Sequence, residues 1–460
     1  MSAISIDKKS TIKWILCFLL PILILLIPTN EAFTSQIRLF LAITLWSVLL
    51  FIFELVDTAV AGVSVMFLYC FFGILTFQQA VGAWANTTIW MVFGCLILIN
   101  AMQRTNVLKR IAYNLLILTG GTYMGIIMGL TIFGVLFGTI SIACVALAFG
   151  VCKALNLGKG KAAAGILLAT TVAVTSSGDF IFTAVGVGIS GAVANLALTA
   201  MNLPNVPVDY VHTFLHNIPW VAYPFITSFI LAKLCAPKEN IGGKEHFRKL
   251  KAELGPMSGA EKKALAIFIA VMVYAFTTVI HGLDLVYGFI FGPMLLFFPG
   301  FKIGTKEDIT SVNIGMLMFI AGCISIGTAA TAVGIGDLIA EIATPVLANR
   351  SGGFFVFLTL LLGALANIVM TPVALMSVLA VPLSQIAVNM DMTVYPVIYA
   401  LKHACTTIIF PYENTTFLFA YAFGLIDMKL FMKLMAIMCL AEFIFMLCVG
   451  VPFWTFLGLM

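Results

Sequence analysis

The 460-residue chain is 62% hydrophobic and only 9% charged, with a formal charge of +5. Its mean hydropathy of +1.13 excludes an ordinary soluble domain. Apolar runs of spanning length recur from end to end, which predicts an all-α polytopic membrane protein. The ten cysteines are scattered, without metal-type spacing, and read as small hydrophobes rather than disulfide partners. No nucleotide-binding loop, metal cluster or nucleophile–base arrangement is evident, so no enzymatic activity, cofactor or nucleic-acid partner is expected.

In chain order, Lys8, Lys9 and Lys13 precede a first span ending near Pro28, which reads as a retained span rather than a cleaved signal. Spans follow over 37–55, 58–75 and 84–103, then a basic amphipathic interfacial piece over 107–118 carrying Lys109 and Arg110. Residues 124–155 are apolar with a polar tip at Gly138-Thr139-Ile140-Ser141, which predicts a re-entrant hairpin. A helix over 162–193 and a span over 211–234 close the first half. The hydrophilic stretch 238–263 separates the halves. Spans over 264–280, 286–301 and 309–330, an interfacial piece to 348, a hairpin over 353–388, a helix over 394–425 and a last span over 430–457 then repeat the plan. Asn86-Thr87-Thr88 matches a glycosylation pattern and carries no further reading.

Two of these apolar segments carry polar interruptions. One is Thr406-Thr407-Ile408-Ile409-Phe410-Pro411-Tyr412-Glu413-Asn414-Thr415-Thr416, with a proline and a carboxylate inside it. The other is Thr170-Thr171-Val172-Ala173-Val174-Thr175-Ser176-Ser177-Gly178-Asp179. At membrane depth, non-helical backbone survives only where protein or a wet cavity covers it, so both are read as breaks. Paired breaks in the two halves point to a transporter's midplane site.

Internal similarity supports the repeat. At a shift of 228 residues, Gly94-Cys95 falls on Gly322-Cys323, Ile111-Ala112 on Ile339-Ala340 and Val145-Ala146-Leu147 on Val373-Ala374-Leu375. With the N-terminus in the cytoplasm and eleven full spans, nearly every Lys and Arg falls inside, Arg38, Arg350 and Lys402 excepted. The hairpins then enter from opposite faces, giving an inverted repeat with the C-terminus outside.

This plan resembles the divalent anion–sodium symporter (DASS) family, the INDY-type di- and tricarboxylate transporters. The likeness rests on an amphipathic helix, hairpin and broken helix occurring twice around a basic loop. It also rests on Phe410-Pro411 before a polar break and Tyr421-Ala422-Phe423-Gly424 after it. The family's Ser-Asn-Thr signatures are not intact here: Gly138-Thr139-Ile140-Ser141 stands at the first tip, and Ala366-Asn367-Ile368 with Met370-Thr371-Pro372 at the second. The resemblance implies a homodimer in the plasma membrane with scaffold parts (1–120 and 264–350), elevator-type transport parts (121–234 and 351–460) and a cytoplasmic loop (235–263). It implies di- or tricarboxylate transport coupled to Na⁺.

From the residues themselves, half-helix N-termini favour an anion. Thr139, Ser141, Asn367, Thr371, Asn414, Thr415 and Thr416 are the expected substrate-binding side chains. Bare carbonyls at the opposite half-helix ends suit a cation, and Na⁺ is expected to draw on Ser141, Ser176, Asn367 and Asn414. Coupling is assigned to Thr175, Ser176, Ser177, Gly178, Asp179 and Glu413, since carboxylates at membrane depth are costly and usually functional. Against this, Ser and Thr in membrane helices often bond their own backbone, Asp179 suits a cap for a helix starting at Phe180, and Lys402 suits snorkelling. Na⁺ symport, H⁺ symport and anion exchange all remain open, as do an inorganic-anion carrier and a cation/proton antiporter using Asp179 and Glu413.

Overall fold

The computed structural model describes residues 8–53, 55–136, 138, 141–180, 194–195, 197–199, 201–204, 210–237, 244–277, 281–347 and 352–460. Among these residues there is helix and no strand. Helices of eight residues or more in the first half are α1 (Lys8–Leu25), α2 (Ser35–Phe53), α3 (Thr58–Phe71), α4 (Thr87–Arg104), α5 (Val107–Leu118), α6 (Tyr123–Leu136), α7 (Ser141–Ala154), α8 (Lys161–Phe180), α9 (Tyr210–Asn217) and α10 (Tyr223–Cys235). The connecting loop contains α11 (Lys244–Glu253). The second half has α12 (Gly259–Phe276), α13 (Leu285–Met294), α14 (Ile314–Ala332), α15 (Ile335–Leu347), α16 (Gly352–Asn367), α17 (Pro372–Val388), α18 (Tyr395–Ala404), α19 (Thr415–Ala422) and α20 (Met428–Phe445).

Among the described residues, five helical stretches are long and apolar enough to cross a bilayer: Ser35–Phe53, Phe77–Arg104, His212–Cys235, Lys306–Ala332 and Met428–Phe456. Shorter apolar helices lie where other spans and the second hairpin are expected, among them Thr58–Phe71, Val286–Phe297, Gly352–Asn367 and Val378–Val388. Shorter pieces are what hairpins and interrupted helices require, because a chain that turns back at mid-depth needs only half a span. α5 and α6 meet at a 104° bend, which sets the amphipathic helix across the hairpin that follows it. Val107, Leu108, Ala112 and Leu116 of α5 are buried, and α5 packs on α7 as α15 packs on α17.

The repeat is visible in the packing. α3 crosses α14 and α4 crosses α13; in the second half each hairpin helix packs on the helix that follows, α16 and α17 on α18, as α6 and α7 do on α8. Both crossings of the first kind are glycine contacts. A Cβ at Gly322 would overlap the backbone of Gly62, and one at Gly94 would overlap the carbonyl of Phe289. Gly94 and Gly322 are the very positions matched by the internal shift, so one close backbone approach is used twice.

Outside the membrane, Arg110 of α5 fixes the end of the connecting loop. Its guanidinium donates to both carboxylate oxygens of Glu261 (2.9 and 3.3 Å) and to the carbonyls of Leu254 and Pro256. Glu261 also accepts the Ser258 N–H (2.6 Å) as part of a capping box. Burial alone would raise the Glu261 carboxyl, but the bonds from Arg110 and Ser258 outweigh it and hold the group below its ordinary value. A depressed carboxylate adds stability above the unfolded-state value and loses it as pH falls through the folded one. Arg110→Met is therefore expected to lower the melting temperature at neutral pH, with the gap to wild type closing in acid below about pH 4. Melting curves at both pH values check this, and an unchanged gap would contradict it.

None of the ten cysteines is in a disulfide and eight are buried, as small apolar packing residues are. No group of three or more metal-ligating side chains occurs among the described residues.

Candidate functional site

α18 ends at Ala404, and residues 405–410 leave helical form before a single 3₁₀ turn at Pro411–Glu413 and the start of α19 at Thr415. Two features of the sequence produce this. Pro411 lacks an N–H and clashes with a preceding helical turn, and Asn414 takes the N-cap of α19, its Oδ1 accepting from the Thr416 N–H at 2.9 Å. The carbonyls that end α18 are not bare. His403 O accepts both the N–H and the hydroxyl of Thr406 and of Thr407, at 2.9–3.0 Å.

Glu413 holds the break to the second hairpin. It is 3% exposed. Its Oε1 accepts the N–H groups of Ile409 (3.1 Å) and Phe410 (2.6 Å), and its Oε2 accepts from Asn367 Nδ2 at 3.3 Å. Asn367 is the last residue of α16, 1% exposed, and its Oδ1 has no hydrogen-bond partner. The carboxylate thus satisfies backbone donors that the interrupted helix would otherwise orphan.

A cavity of about 480 Å³ opens between these parts. The second hairpin tip lines it from Ile368 to Pro372, the break from Tyr412 to Thr416, and α14 from Cys323 to Gly327, with Asn86 on a further side. The N-termini of α17 and α19 both abut it. Their amide groups carry partial positive charge into the space, while Thr371, Asn414, Thr415 and Thr416 add side-chain polarity. α14 approaches the tip so closely that a Cβ on Gly327 would overlap Thr371 Cγ2. The cavity can hold a small anion by backbone dipoles and hydroxyls without a cationic side chain at its wall.

The first half is arranged differently from expectation. α8 runs unbroken through Thr175, Ser176, Ser177, Gly178 and Asp179 to Phe180, so the break placed there is corrected. The hydroxyls explain it: Thr175 Oγ1 donates to Thr171 O and Ser177 Oγ to Val174 O, at 2.8 and 2.7 Å, so the polar cluster is satisfied within the helix. Asp179 accordingly lies inside a helix rather than capping one. The first hairpin tip packs on this stretch, since a Cβ at Gly138 would overlap Ser177 Oγ. Thr139 and the side chains of Ser141 and Asp179 lie outside the described residues.

The two polar stretches nevertheless meet. A small pocket is lined by Thr175 and Ser176 of α8 and by Thr406, Thr407 and Ile408 of the break. Ser176 therefore lines a different pocket from Asn414, while Asn367 is bonded to Glu413, so the expected Na⁺ ligands among the described residues do not form one cage. Lys402 is buried, not snorkelling, and its ammonium donates to Gly178 O across the halves. That cation stabilises the carbonyl end of α8.

Comparison with known proteins decides the family. A family model described as citrate transporter (CitMHS) matches residues 48–404. The chain belongs to the citrate transporter family. A membrane protein of Cupriavidus necator strain H16 is 24% identical over 360 residues, covering 70% of this chain and 67% of that relative. The matched region holds both hairpins and α18, and it stops where α18 stops. In this member of the citrate transporter family, the broken stretch with Glu413 follows directly after the matched region. Two placements escaped the sequence reading: Asn86, which resembled a glycosylation acceptor, is exposed and lines the cavity, and Lys402, which resembled an interfacial lysine, is buried.

Proposed function

We propose that this chain is a secondary transporter that carries citrate or a related di- or tricarboxylate, held in the cavity between the second hairpin tip and the break. The observation that carries this is the convergence of two helix N-termini on one polar cavity at an interrupted helix. Thr371, Asn414, Thr415 and Thr416 contact the anion, and Asn367 positions the tip through Glu413. The anion moves with Na⁺, with H⁺ or in exchange for another anion; the small pocket at Ser176 and Thr406 is the place for a coupling cation, and Thr139, Ser141 and Asp179 of the first half complete the transport part.

In this reading the protein is a plasma-membrane homodimer with a cytoplasmic N-terminus, and the hairpins, α8, α18 and α19 move as an elevator-type unit against the scaffold. Glu413 favours a second reading, cation/proton antiport, because it is a buried carboxylate at the cavity wall. Labelled citrate, succinate and sulfate in proteoliposomes, under Na⁺ or pH gradients, separate the readings: gradient-driven citrate uptake supports carboxylate transport, sulfate uptake the inorganic-anion carrier, and Na⁺-driven pH change without anion the antiporter.

Thr415 is exposed to the cavity. Thr415→Ala is expected to reduce citrate uptake at least about tenfold, one lost hydrogen bond to a charged group being worth about 1.5 kcal/mol or more, with the melting temperature unchanged. Full uptake in this variant would remove Thr415 from the site.

A further inference from the structure

Behind the break lies a second buried ionisable pair, outside the cavity lining. His403 of α18 and Glu442 of α20 are 1% and 3% exposed. Nδ1 of His403 and Oε1 of Glu442 are 3.2 Å apart. The indole of Trp220 stacks on the imidazole (centroids 4.3 Å, 26°) and its Nε1 donates to the same Glu442 oxygen at 3.2 Å. Trp454 stacks in turn on Trp220, 5.2 Å between centroids. An indole and a carboxylate from separate elements thus flank one imidazole in a buried box.

A carboxylate beside a neutral imidazole would leave a net negative charge in that box, which costs far more than a pair carrying one shared proton. The same residue anchors the break, because His403 O is the acceptor for Thr406 and Thr407. Other titratable groups around it are Tyr399 and Lys402 on α18, Cys439 on α20, His216 on α9, Tyr223 on α10, and Cys405 and Glu413 in the break. Tyr399 is engaged by His216 Nδ1 (2.9 Å), Cys439 donates to Ile408 O, and Lys402 donates to Gly178 O. Glu442 faces the imidazole at ion-pair distance.

We propose that His403 and Glu442 form a one-proton site that ties α18 to α20 and so sets the geometry of the break, making anion affinity fall when the proton leaves. The affinity part rests on the anion-transport reading; the proton site itself does not. Loss of the proton adds one negative charge behind the cavity and loosens the tie, so acid favours anion binding.

The test uses the full-length purified protein. Tryptophan fluorescence is titrated with pH in wild type and in Trp220→Phe, and their difference isolates the Trp220 signal. A single-proton step is expected in that difference, and its loss is expected in His403→Gln and in the near-isosteric Glu442→Gln. Citrate affinity is measured over the same range by thermal shift; it should weaken by up to about tenfold per pH unit in wild type and less steeply in both variants. Absence of a Trp220 step in wild type, or an unchanged step in either variant, overturns the proton site. A step with no citrate binding at any pH leaves that site standing and defeats the anion reading instead.

Discussion

Glu413→Ala is expected to abolish transport and to destabilise the protein, while Glu413→Gln largely restores stability without restoring normal transport. The alanine variant leaves the N–H groups of Ile409 and Phe410 and the Asn367 amide without their acceptor in a buried place. An orphaned buried donor costs about 1–3 kcal/mol, so a loss of about 3 kcal/mol for the set is a reasonable magnitude. Glutamine keeps one carbonyl oxygen for the backbone donors and turns an NH₂ toward Asn367, whose Oδ1 lacks a partner and can accept it. The two variants separate the mechanical role of Glu413 from its charge. Melting temperature and citrate uptake are the readouts. Equal stability of the alanine variant and wild type would show that the carboxylate does not hold the break.

The second large effect falls on the scaffold. Gly322→Val is expected to prevent stable folding, because its side chain would need the space occupied by the backbone of Gly62. Overpacking in cores costs about 1–3 kcal/mol where side chains can shift, and here no flexible side chain is available to yield. Gly94→Val should behave alike, since the obstacle is the Phe289 carbonyl. Gly82→Ala is the control: nothing lies within 4 Å of a Cβ there. Expression of monodisperse protein in detergent and its melting temperature report the difference. A Gly322→Val protein as stable as wild type would mean the α3–α14 crossing is looser than described.

Much of the architecture was legible because it is written twice. The shift that placed Gly94 on Gly322 also carries α5, starting at Val107, onto α15, starting at Ile335, and the two glycines prove to be the same crossing in each half. The second break was legible for a local reason: a proline, an N-cap asparagine and a carboxylate in one apolar run have few helical explanations. The first was misread because hydroxyls are ambiguous. Thr175 and Ser177 look polar in the sequence, yet each bonds a carbonyl one turn back and leaves the helix intact. Charged residues were misplaced where their surroundings come from elsewhere in the chain. Lys402 is buried against Gly178, and His403 meets Glu442 and Trp220. No spacing rule links those positions; only packing of α8, α18 and α20 does.

The most direct test of the account is citrate binding to purified protein, followed by thermal shift, with the cavity open and with it filled. Thr415→Phe places a ring in the space between the second hairpin tip and the break from a residue that faces the cavity. Citrate should stabilise wild type in a saturable manner and leave the Thr415→Phe protein, of ordinary melting temperature without citrate, unshifted. Undiminished citrate stabilisation in the filled variant would place the anion elsewhere and contradict the central claim.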